Sequence, residues 1–386
     1  MVAGHLAERN GNYHVVINYV DDNGNRKTKW ISTGLPIKGN KKKAEARLME
    51  IRQNFTIPKV TKDFEDSILF SDFLTEWLKV VKGSLSLTTY SSYCTMVDVI
   101  KPFFKKRKIT IAKLAPKDIQ MFYMELLDRV KASTVIHYHA VIHRALKYAV
   151  KIELIDANPA DKVERPKKER FMASFYDAEE INRLFEVSKG TKLEIPILFG
   201  AFYGLRRSEA IGLKWDAIDF EHDAITIRHT VTSVNIDGKS LIVAQDTTKT
   251  KSSMRTLPLV PFVRERLLTL AEEQKENRRL CGRSYIHDYD GYICVNEIGD
   301  LIKPGYVSAR FSELLDEHGL RRIRFHDLRH SCASLMLSNG VPMKQIQEWL
   351  GHSDFSTTAN IYAHLDYSSK ITSADAMLSG LGITGS

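Results

Sequence analysis

The sequence predicts a multidomain α+β protein. A small antiparallel sheet with a helix comes first, then a helical region, then a mixed, mainly helical region with a second small antiparallel sheet. Three observations predict this. A chain of 386 residues is too long for one ordinary core, so two or three domains are expected. The N-terminal stretch alternates around an Asn-Gly pair. Further on, apolar residues recur at helical spacing, later interrupted by short β-branched runs.

Each element has a local reason. His14–Val20 reads as a strand, Asp22–Asn25 as a tight turn that tolerates positive φ, and Arg26–Ile31 as the return strand, ended by Thr33-Gly34. Lys41–Met49 is rich in helix formers. Thr56–Thr61 is a linker. Phe70, Phe73, Leu74, Trp77 and Leu78 form a helical core stripe. Ser86 is placed to cap the next helix, and Ala132–Tyr138 starts another that runs to about Val150. Asn158-Pro159 ends it, because the residue before proline disfavours helix. Lys162–Arg170 is a basic, proline-broken linker. Asp177–Phe185 is a capped amphipathic helix, and Ile195–Tyr203 is a buried one. Trp215–Asp219 and Ala224–Ile227 open a small antiparallel sheet that also takes in the hairpin around Lys249 and the strand to Leu259. Val341–Leu350 is a helix stopped by Gly351. The domains expected are residues 1–57, 65–160 and 171–366, with a tail over 367–386.

Composition narrows the class. Hydrophobic residues make up 43%, enough for globular folding throughout, and the net charge of +9 suggests a polyanionic partner. Cys94, Cys281, Cys294 and Cys332 show no metal-binding spacing and read as reduced thiols. No apolar stretch is long enough to span a bilayer, and no secretory h-region opens the chain, so a soluble intracellular protein is expected. The lysine run Lys41, Lys42 and Lys43 reads equally as a solvated face; the nearby Arg26, Lys27, Lys29 and Trp30 strengthen a binding role. The hydroxyl-rich helix starts at Ser86, Ser133 and Thr134, with His137, suit phosphate contact, although ordinary capping explains Ser86 and Ser133 as well.

The chemistry lies in an ordered set. Gly204-Leu205-Arg206-Arg207-Ser208-Glu209 is followed by His326-Asp327-Leu328-Arg329-His330, then Leu350-Gly351-His352, then Tyr362. An arginine pair can hold the non-bridging oxygens of one phosphate. A tyrosine hydroxyl can attack, and imidazoles can move its proton. Singly, each piece has a plain structural reading. Arg206 can simply pair with Glu209, His352 can be a core histidine, and Tyr362 a core aromatic.

Taken together the set resembles the tyrosine recombinase (phage integrase) family, over essentially the whole chain. Arg206, His326 and Arg329, His352 and Tyr362 match the family's box. Thr248–Lys251 followed by Arg255–Leu259 matches the hairpin carrying its lysine, with Lys249 preferred over Lys251. The resemblance implies that Arg206, Arg329 and His352 hold the scissile phosphate while Tyr362 attacks it. His326 takes the proton, and Lys249 donates to the 5′ oxygen. No cofactor and no metal is implied, because the bond energy is kept in a phosphotyrosyl ester.

The resemblance also implies an N-terminal three-stranded sheet domain for arm DNA sites, a helical core-binding domain, and a tail that docks on a neighbouring subunit through Met377, Leu378 and Leu381. It implies Arg165, Lys167, Lys168 and Lys251 as further contacts to double-stranded DNA, and Glu209 as structural support. Four subunits on DNA are expected, with a small excisionase and a host DNA-bending protein as partners. The function implied is integration, with excision, of a phage or conjugative transposon. A type IB topoisomerase, a chromosome-resolving recombinase and a DNA-binding protein without catalysis are the alternatives. A metal-dependent nuclease lacks its carboxylate cluster.

Overall fold

The computed structural model describes residues 2–20, 26–56, 67–168, 174–246, 254–351, 377–378 and 380–381. The chain divides into two compact units, Met1–Glu169 and Arg170–Ser386.

The first unit opens with a three-stranded antiparallel sheet in the order β1 (Ala3–Arg9), β2 (Asn12–Val20), β3 (Arg26–Pro36). Strand β3 runs past the predicted stop at Thr33-Gly34, with Gly34 taking φ +70° inside it. Val15, Val16 and Ile17 of β2 are buried, and α1 (Lys41–Asn54) follows the sheet. Facing pairs share a face of a sheet. The register pairs Val16 with Trp30 and Ile17 with Lys29, so Trp30 and Arg26 lie on one face and Tyr19, Lys27 and Lys29 on the other.

A helical bundle follows: α2 (Phe70–Val81), α3 (Leu87–Lys106), α4 (Pro116–Leu127) and α5 (Ala132–Lys151). The predicted stripe Phe70, Phe73, Leu74, Trp77 and Leu78 is buried as one core with Phe104, Phe122 and Ile142. Ser86 caps α3, its hydroxyl accepting from the Thr89 N–H at 3.3 Å. Ser133 does not cap α5: the N-cap is Lys131, and Ser133 lies within the first turn. The helix ends within a residue of the expected Val150, well before Asn158-Pro159. It stops at Lys151, and Glu153 turns left-handed at φ +60°. Asn158 instead caps a short 3-10 turn, Pro159–Lys162.

The second unit contains α6 (Ala178–Ser188), α7 (Glu194–Ala201) and α8 (Arg207–Gly212). Asp177 and Glu180 form the capping box of α6. Then come β4 (Ile218–Asp219), β5 (Ala224–Ile227), β6 (Thr230–Ile236), β7 (Lys239–Gln245) and β8 (Arg255–Pro258). Strands β4, β5 and β8 form one antiparallel sheet, while β6 and β7 pair separately, so the expected single sheet is two. The remaining helices are α9 (Pro261–Cys281), α10 (Pro304–Glu317), α11 (Asp327–Ser338) and α12 (Met343–Leu350). The core gathers Phe199, Tyr203, Ile211, Leu267, Phe311, Phe325 and Leu328. Cys294 and Cys332 are buried, Cys94 and Cys281 half-buried, and all four are free thiols. Among the described residues no helix is long and apolar enough to cross a membrane.

Candidate active site

The buried helix α7 delivers the chain to Gly204, which adopts φ +64°. A Cβ there would collide with the Leu350 side chain and stand 3.3 Å from the Cys332 sulfur, so the turn into Arg206 requires glycine. Arg206 is the N-cap of α8. Its backbone N–H donates to Glu209 Oε2 at 3.1 Å, and its Nη1 donates to Glu209 Oε1 at 2.6 Å. Glu209 is buried and takes a second guanidinium, Arg255 Nη2, at 3.0 Å on Oε2.

Three arginines then meet the end of α12. Arg255 Nε donates to the Trp349 carbonyl at 2.7 Å, Arg329 Nη2 to the Leu350 carbonyl at 2.6 Å, and Arg206 Nη2 to the Gly351 carbonyl at 3.3 Å. The last carbonyls of a helix have no partner within it and carry the negative end of its dipole, so cations are the natural cap. Gly351 closes the helix in the left-handed conformation, at φ 68° and ψ 46°. Arg329 is almost fully buried, and its Nη1 also donates to the Gly204 carbonyl at 2.7 Å. Thus α8, β8 and α11 each send an arginine to one short stretch of chain just before His352.

Among the described residues, three guanidinium groups at this cluster surround one carboxylate. Burial alone would raise the Glu209 pKa, but the Arg255 and Arg206 charges prevail and hold it below the usual carboxylate value. Burial first, and Arg206 second, pull Arg329 down to about 9, with Glu209 opposing; it remains protonated at neutral pH. His326 sits at the N-terminus of α11 with part of its ring exposed to solvent. Protein packed around the rest of the ring, then the neighbouring His330 and Arg329, favour its neutral form. The His326 and His330 rings meet edge-on at 5.3 Å.

A cavity of about 710 Å³ opens beside His326, lined among others by Arg207, Ser308, Arg322 and Arg324. Arg207 bonds to Ser308. The basic run before His326 is largely committed to carboxylates. Arg321 pairs with Glu180, Arg322 with Asp316, and Arg324 with Asp327.

The structure therefore brings Arg206, Arg329 and Glu209 together, with His326 beside them, and adds Arg255, whose role the sequence did not reveal. Arg255 was visible only as part of the hairpin pattern; its partners are distant in sequence. A second missed cluster stands at the end of β7. His229 Nε2 accepts from the Tyr292 hydroxyl at 2.8 Å, and its Nδ1 meets Asp246 at 2.5 Å. Lys249, Lys251, His352 and Tyr362 lie outside the described residues. The expected DNA contacts Arg26, Lys27, Lys29, Trp30, Lys41, Lys42, Lys43, His137, Arg165, Lys167 and Lys168 are all exposed, while Ser133 and Thr134 are half-buried. Among the described residues no three His, Cys, Asp or Glu side chains are grouped to hold a metal ion.

Two family models match the chain: the phage integrase family over residues 174–369, and the phage integrase N-terminal SAM-like domain over residues 69–127. A tyrosine recombinase XerC-like protein of Caldanaerobacter subterraneus subsp. tengcongensis is 30% identical, covering 84% of this chain and 86% of that one. The prophage ps2 probable integrase of Lactococcus lactis is 27% identical over 87% of this chain and 88% of its own length. The ICEBs1 integrase of Bacillus subtilis is 28% identical, covering 67% and 69%. Among solved structures, the Tn1549 transposon integrase in complex with a circular intermediate DNA superposes with a TM-score of 0.65 at 18% identity, over 81% of this chain and 100% of that one. The lambda integrase tetramer bound to a Holliday junction gives 0.58 at 17%, over 92% and 94%. With the family match spanning the unit that holds the arginine cluster, the chain belongs to the phage integrase family, the tyrosine-type site-specific DNA recombinases.

Proposed function

We propose that this recombinase integrates and excises a mobile element through a 3′-phosphotyrosyl intermediate. The observation that carries the chemistry is the convergence of Arg206 and Arg329 beside a single shared carboxylate, with surplus positive charge suited to a phosphate. In this reading Arg206, Arg329 and His352 bind the scissile phosphate. The Tyr362 oxygen forms a bond to phosphorus, and its proton passes to His326. The bond from phosphorus to the 5′ oxygen breaks, and Lys249 protonates the departing oxygen. A 5′ hydroxyl from a partner strand then attacks the phosphotyrosyl ester and releases Tyr362. Each subunit cuts one strand, so exchange between two duplexes uses a homotetramer. Relatives named as prophage and ICEBs1 integrases support a mobile-element role, as does the fold shared with integrases solved on DNA. A small excisionase, a host DNA-bending protein and a cytoplasmic setting complete the proposal. The domains 1–57 for arm sites, 65–160 for core sites, 171–366 for catalysis and 367–386 for docking belong to it, as do Lys251 and the exposed cations of the first unit.

The XerC-like relative favours a second reading, resolution of chromosome dimers by the same chemistry. Trp30→Ala would separate the two, since a resolving reaction has no use for arm sites.

The chemistry is tested with a DNA substrate nicked near the cleavage site, in EDTA. Wild type traps a covalent adduct and Tyr362→Phe does not. An adduct in the variant would overturn the assignment of the nucleophile. No adduct in either protein, with binding to a cognate site intact, would overturn the recombinase mechanism.

A further inference from the structure

Arg255 begins β8, six residues beyond Lys249 in sequence. Its side chain is nearly buried and joins two other elements at once: Nη2 reaches Glu209 on α8, and Nε reaches the Trp349 carbonyl on α12. Glu209 does not need it for charge balance, because Arg206 already supplies one guanidinium through Oε1. Bringing a second buried cation to the same carboxylate is expensive in desolvation and gains little stability. What the second cation adds is geometry. With Arg206 on Oε1 and Arg255 on Oε2, the Glu209 carboxylate is fixed in rotation, and so is the guanidinium plane of Arg206. The planar fork of arginine can aim separate N–H groups at an oxygen on α8 and an oxygen on α12, whereas a lysine presents one point charge.

We propose that Arg255 is a positioning residue for strand cleavage, acting through Glu209 on Arg206 and through the Trp349 carbonyl on the end of α12. The inference rests on the recombinase reading above. It makes one side chain the common brace of β8, the first arginine, and the helix that precedes His352 in sequence.

The test uses full-length protein and the nicked substrate at saturating DNA, with rates normalised to the active fraction found by titration with excess substrate. Arg255→Gln removes the charge; Arg255→Lys keeps it and removes the fork. Both are expected to slow adduct formation by about a hundredfold, the scale of a misplacement near 1 Å. The second readout is replacement of a non-bridging oxygen of the scissile phosphate by sulfur. A positioned Arg206 makes wild type sensitive to that replacement, and both variants should lose sensitivity as Arg206→Lys does. A merely structural Arg255 would lower the active fraction and leave both the normalised rate and the sulfur effect unchanged, and that result overturns the inference. Wild type cleaving normally alongside unchanged Arg255 variants overturns this inference alone. Wild type forming no adduct overturns it together with the recombinase mechanism.

Discussion

Arg206 and Arg329 sit on different helices and donate to the carbonyls of adjacent residues, Gly351 and Leu350. Their two guanidinium groups are thereby held in a fixed relation to one another. The same bonds fix the last turn of α12.

Glu209 is the carboxylate that pairs with both Arg206 and Arg255, and its loss has a defined cost. Glu209→Gln leaves the buried Arg255 guanidinium, and the half-buried one of Arg206, without this counter-ion, and is expected to destabilise the second unit by about 3 kcal/mol. Urea unfolding checks this. The pH dependence has a definite sign. The folded carboxyl titrates below its unfolded value, so its contribution is complete above about pH 4.5 and is lost as pH falls through the folded pKa. In Glu209→Gln that part of the acid dependence should vanish.

His326 is favoured neutral by surrounding protein, by His330 and by Arg329. If it accepts the Tyr362 proton, the cleavage rate should persist below the ordinary imidazole value of about 6.5 and decline only at lower pH. His330→Asn removes a neighbouring imidazole whose charged form opposes that of His326, and so should raise the His326 pKa and move the acid limb of the single-turnover pH profile upward. A limb that stays in place would remove His326 from the proton transfer.

Two serines once read alike now separate. Ser86→Ala should cost about 1 kcal/mol of stability through loss of its cap bond to Thr89. Ser133→Ala should be nearly neutral in thermal unfolding, because its hydroxyl caps nothing. Any loss of DNA affinity in Ser133→Ala is then a direct contact.

The sheet carries exposed basic or aromatic side chains on both faces. Trp30 is 49% exposed, with the Arg9 guanidinium 5.7 Å from its ring centre, while Lys27 and Lys29 share the opposite face. If the lysine face meets phosphates, Lys27→Ala with Lys29→Ala should lower the slope of log affinity against log salt by about two on an arm-site duplex. Trp30→Ala should leave that slope unchanged, whatever it does to affinity.

The stripe of α2 and the capping box of α6 were legible because a helix writes its buried face and its first turn into consecutive residues. Strand β1 was not legible in the residues themselves. Ala3–Arg9 contains no β-branched residue, and it is a strand because β2 offers it a partner. The end of α5 near Val150 was legible, but its cause was not: the left-handed turn at Glu153 has no glycine or proline to announce it. In the site, Arg206 and Arg329 stood out as parts of an ordered set. Arg255 did not, because its meaning lies in contacts with Glu209 and Trp349, which are remote in sequence.

Three guanidinium groups around one carboxylate make this protein's stability a function of its solution as well as of its sequence. A sulfate or phosphate ion that settles against the exposed part of Arg206 binds the folded chain and has no comparable place on the unfolded one. Each tenfold rise in such an ion above its dissociation constant then adds about 1.4 kcal/mol to folding. With such an ion bound, melting temperatures from different buffers would be measurements on differently liganded proteins.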